Sequence, residues 1–153
     1  MWPFKKSPQT ADNLQVNDDW TVAQGDHNGR PMFVRFNGGF GGFRGKSRYP
    51  HQVGIAVPLK KPLETGLPTA QEISELAAIE DAICEVLEAE KESLLVLVVT
   101  TGGMQEFVLY TRSPEKVKLK FERLRGEITG HEIQLMIQED KDWQVYAHLT
   151  RTK

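Results

Sequence analysis

The sequence predicts an α+β fold built on one antiparallel sheet. Three observations carry this. Leu94 to Val99 is a continuous apolar run, Gly102-Gly103 follows, and Gln105 to Tyr110 alternates. Aliphatic runs bounded by glycines read as strands, and a Gly-Gly pair accepts the positive φ angles of a tight hairpin. A helical apolar stripe stands on each side of this hairpin. A second hairpin signal, Asn28-Gly29, lies near the start of the chain between two short β patterns.

With 153 residues the chain has the size of one domain, read as 19–153 behind a flexible arm over 1–18. In the arm, Trp2 and Phe4 are candidates to dock on a core or a neighbouring subunit. The 39% apolar and 26% charged fractions are those of a soluble globular protein. A net charge of −2 argues against a general nucleic-acid binder, whose affinity comes from basic charge facing phosphates. The single cysteine, Cys84, cannot form an internal disulfide, which fits a reducing compartment. No apolar run follows the basic residues of the N-terminus, and none is long enough to span a membrane. The expectation is a cytoplasmic protein that does not engage a membrane.

In chain order, Trp20 to Gln24 is a first strand and Met32 to Phe36 its return, with Met32, Val34 and Phe36 on one face. A glycine-rich loop, residues 38–48, precedes a third strand from His51 to Leu59. There Val53, Ile55 and Val57 share a face, and Gly54 and Ala56 leave close room on the other. Thr69-Ala-Gln-Glu72 is a capping box, with the Glu72 side chain reaching back to the Thr69 amide. It opens a helix over Ala70 to about Ala89, with Ile73, Leu76, Ala77, Ile83, Val86 and Leu87 as its stripe and an acidic outer face. After the central hairpin, Ser113 caps a second helix with Pro114 in its first position. Val117, Phe121 and Leu124 form its stripe, its outer face is basic, and Gly126 lies near its stop. Ile133, Leu135 and Ile137 mark a last strand, and residues 140–146 close the domain. The last six elements spell β-α-β-β-α-β, the ferredoxin-like split unit, with both helices on one face and the N-terminal hairpin as an extension. In that topology Leu94 to Val99 lies at an edge, yet it is apolar on both faces. It therefore needs a cover, either the N-terminal hairpin or a second copy of the chain in a homodimer.

No catalytic constellation emerges. Gly45-Lys46-Ser47 resembles the end of a phosphate loop, but Phe40 stands where a glycine is required and a strand follows where a helix should. The loop could instead stack bases on Phe40 and Phe43 and contact phosphate through Arg44, Lys46 and Arg48. The strand Gly103 to Tyr110 matches an RNA-recognition motif only at its end. His27, His51, His131 and His148 stand far apart with no ligand spacing, which argues against a metal, and no cofactor motif is present. Cys84 reads as a small buried thiol beside the apolar stripe. Trp143 and Tyr146, three residues apart and flanked by Asp140 and Asp142, read either as a packing lid or as an aromatic anchor for a protein partner.

The chain resembles a family of uncharacterised bacterial domains, domain-of-unknown-function family 695. The likeness rests on Trp20, the stretch Leu76 to Ala82, the hairpin Thr101 to Thr111 and, most specifically, Asp140-Lys-Asp-Trp-Gln-Val-Tyr146. Lys141 stands where the family commonly has proline. Some relatives carry a second domain similar to the protein inhibitor of ribonuclease E, which implies regulation of an RNA-processing enzyme by association. The resemblance implies no activity. The expected function is therefore a non-enzymatic protein-interaction or regulatory domain, with a nucleic-acid-associated protein acting through loop 38–48, or an enzyme with an unrecognised site, as the alternatives.

Overall fold

A computed structural model describes Val16 and residues 18–151. The arm expected over 1–18, with Trp2 and Phe4, falls outside the described residues except at Val16 and Asp18. The elements run β1 (Trp20–His27), β2 (Arg30–Asn37), β3 (His51–Pro58), α1 (Ala70–Leu87), β4 (Ser93–Thr101), β5 (Met104–Thr111), α2 (Pro114–Glu127), β6 (Gln134–Glu139) and α3 (Gln144–Thr150). The six strands form one sheet in the order β1-β2-β4-β5-β3-β6, antiparallel at every pairing. Both predicted hairpins form, with positive φ at Asn28, Gly29, Gly102 and Gly103. Among the described residues, no helix is long and apolar enough to cross a membrane.

Strand alternation divides the apolar residues into two cores. On one face Val53, Ile55 and Val57 of β3 and Phe107 and Leu109 of β5 pack with Leu76, Ile79 and Ile83 of α1 and Val117, Phe121 and Leu124 of α2. Ile73, read as part of the α1 stripe, is 55% exposed, and Ile79 fills the inner position. On the other face Val34, Phe36, Val96, Leu97, Val108 and Tyr110 pack with Phe40, Phe43 and Tyr49 of the glycine-rich connection and with Trp143 and Tyr146. The expected cover for β4 is thus supplied within the chain. β2 pairs along its edge, from Met32 opposite Thr101 to Phe36 opposite Leu97.

A β-bulge explains why β4 is apolar on both faces. The register with β5 slips between Leu95 and Leu97, leaving Val96 as the extra residue. Leu95 and Val98 enter the helix-side core, while Val96 and Leu97 both enter the other.

Candidate functional site

Thr69 accepts the Glu72 amide at 3.2 Å and starts α1 as the capping pattern requires. The Glu72 side chain, however, does not reach back to the Thr69 amide. Its carboxylate is buried and accepts the backbone N–H groups of Lys60 at 2.6 Å and Lys61 at 3.4 Å. Its Oε2 lies 2.8 Å from Nε2 of His131, a residue of the connection between α2 and β6. Glu75, three residues along α1 and so on the same face, brings Oε1 to 3.8 Å from the same nitrogen and to 3.2 Å from Lys60 Nζ. Burial pushes the Glu72 carboxyl up, but the amide of Lys60, the His131 side chain and the amide of Lys61 outweigh it and hold it below the usual carboxylate range. Glu75 and His131 also line an open cleft of about 410 Å³ with Lys60, Ile79, Thr129 and Glu127. One carboxylate and one imidazole thus stand at the wall of an open cleft, with the buried Glu72 carboxylate against the imidazole. Spacing along the chain could not reveal this, since 59 residues separate Glu72 from His131. The one local signal was an acidic residue in the first turn of a helix.

The residues singled out from the sequence lie elsewhere. Trp143 is wholly buried and stacks on Tyr110, ring centroids 4.1 Å apart, and its Nε1–H donates to the Tyr49 carbonyl at 2.9 Å. The Tyr146 hydroxyl donates to the Asn37 carbonyl at 2.7 Å. Phe40 and Phe43 are buried edge to face and both pack on Trp143. All four rings therefore belong to the second core, where Phe40 and Phe43 have no face free to stack a base. Asp140 accepts the Tyr110 hydroxyl at 2.7 Å and the amides of Gln144 and Val145, so it caps α3. Asp142 is exposed. Lys46 lies 5.7 Å from the Trp143 ring centroid, and burial lowers its pKa. Arg44 and Arg48 are exposed on the same loop. Cys84 is half-buried. Burial first, then the charges of Glu88 and Glu80, push its thiol up to about 12, so it supplies no thiolate nucleophile at neutral pH.

The motif-bearing pieces Trp20, Leu76 to Ala82, the β4-β5 turn and Asp140 to Tyr146 all fall inside one match. A family model described as a family of unknown function, DUF695, matches residues 18–149. The chain belongs to DUF695. No curated protein matches it. The DUF695 match starts before β1 and runs into α3, so the hairpin and the small closing helix lie within the family unit along with the two large helices.

The outer hairpin of this DUF695 domain is the other feature with chemical potential. Among the described residues β1 is an edge strand, exposed at every residue but Ala23. Trp20 and Val22 share a face and are 37% and 62% exposed. Arg35, opposite Val22, holds its guanidinium 5.2 Å from the Trp20 ring centroid and bonds Glu80 of α1.

Proposed function

We propose that this DUF695 chain is a non-enzymatic interaction or regulatory domain that takes an extended segment of a partner protein along β1. The exposure of β1 carries the reading. An edge strand offers unpaired main-chain N–H and C=O groups along its outer side, and an extended peptide can add there as a further strand. Proteins commonly guard such edges with lysine or proline, and Trp20 to His27 contains neither. Trp20 and Arg35 beside it are the side-chain types that dominate interface hot spots. The opposite edge, β6, is shorter, six residues against eight, and its exposed residues are Gln134, Met136, Gln138 and Glu139. The core is read as ferredoxin-like, a reading supported by the order β4-β5-β3-β6 and the β-α-β-β-α-β sequence of elements. The proposed setting is the cytoplasm, supported by the single cysteine.

The test is recovery of the tagged protein from its own host, with and without nuclease, beside Val22→Lys. Val22 is far enough exposed that the variant should melt within about 2 °C of the parent. The expected outcome is a nuclease-insensitive protein partner that Val22→Lys loses. A partner retained by that variant contradicts the reading. RNA that is lost on nuclease treatment, and on replacing Arg44, Lys46 and Arg48 by alanine, would favour the nucleic-acid alternative instead.

A further inference from the structure

We infer that Glu72, Glu75 and His131 form a binding site for a first-row divalent transition metal ion, with zinc the member that best suits the donor set. One ligand atom from each residue lies within 4.8 Å of the other two, close enough to converge on a single ion after small side-chain adjustments. The set is mixed, one imidazole nitrogen and two carboxylate oxygens. That mixture favours a borderline ion over calcium or magnesium, which take oxygen ligands.

Three features distinguish this cluster from an ordinary surface ion pair. The His131 side chain is only 2% exposed and presents Nε2 to both carboxylates. Glu72 is held in place by the Lys60 amide, which donates to the same Oε2 that faces His131, and by the Lys61 amide on Oε1, and outer support of this kind fixes a metal-ligating carboxylate. The cleft lined by Glu75 and His131 provides room for a water to complete four-coordination. Lys60 Nζ, on a half-exposed side chain, pairs with Glu75 at 3.2 Å. The metal would displace that ammonium toward solvent. The inference is independent of the docking reading, because it involves no residue of β1.

The competing account is a purely structural Glu72–His131 pair, and Glu75→Gln separates the two. That substitution removes a ligand from a partly exposed position and leaves the buried pair intact. Chelator-treated protein is titrated with Zn²⁺ alone by calorimetry, with Mg²⁺ as a control, and Co²⁺ is added in a parallel sample to read its visible absorption. The wild-type chain should bind one Zn²⁺, give a cobalt spectrum with nitrogen and oxygen ligation, and melt higher when loaded. Glu75→Gln should keep its metal-free melting temperature and lose affinity by roughly tenfold or more. His131→Gln should lose binding as well, with circular dichroism reporting whether it folds. No zinc binding by the wild-type chain, or unchanged affinity in folded Glu75→Gln, would overturn the inference.

Discussion

Trp143 holds a left-handed backbone conformation, φ 55°, that a bulky residue adopts only when its surroundings impose it. Those surroundings are Tyr110 stacked on the ring, the Tyr49 carbonyl on its N–H, and Phe40 and Phe43 against its edges. The Trp143 and Tyr146 spacing was legible as an aromatic pair with two meanings. What sequence could not supply was the partner set, because Tyr49, Tyr110 and Asn37 are remote along the chain. The same limit hid the meeting of Glu72 with His131. Glu106 is a different case at this scale. It lies beside Gly54, where an added Cβ would collide with its carboxylate, and burial raises its pKa. A carboxyl whose folded pKa is raised opposes folding once ionised, so the penalty is absent below its unfolded pKa, about 4.3, and grows as pH rises past it. Glu106→Gln should therefore melt like the parent near pH 3 and about 2 °C higher at pH 7. A scanning-calorimetry series showing a pH-independent difference would contradict this account of Glu106.

At the scale of elements, the strands and both large helices were legible because their signals are local. Thr69 and Ser113 cap α1 and α2 as their sequence contexts require, and Asn28-Gly29 and Gly102-Gly103 turn as expected. α2 runs one residue past Gly126, and β1 continues to His27, beyond the Gln24 that composition suggested. The glycine-rich connection was the element least open to reading. Its two 3-10 turns, Gly38–Gly42 and Lys46–Arg48, exist to carry Phe40, Phe43 and Tyr49 onto the sheet, and nothing in its period says so. The β4 run did announce that both of its faces are covered, although the bulge at Val96 that distributes it was invisible. The N-terminal hairpin should thus be structural as well as exposed. A chain beginning at Gly38 would leave the β4 edge unpaired and remove Val34 and Phe36 from the second core. It should aggregate or give a poorly dispersed amide spectrum. A monomeric, well-dispersed fragment would show that β2 is dispensable.

At the scale of the whole molecule, the sheet is covered unequally. α1 and α2 cover one face through a continuous aliphatic core. A loop and the short α3 cover the other with aromatic rings. That arrangement commits Trp143, Tyr146, Phe40 and Phe43 to the fold and leaves β1, with Trp20 and Val22, exposed at one edge of the sheet. The DUF695 match spans the whole arrangement, so the edge belongs to the family unit. The central claim is that this edge receives a partner strand. It is tested most directly by placing a photo-reactive amino acid at position 22 and, as a control, at Leu119, which is 75% exposed on α2. After illumination in the native host, the account predicts one dominant cross-linked partner from position 22, with a second copy of the chain as the homodimer outcome, and none of that species from position 119. The same products from both positions, or none from position 22, would contradict it.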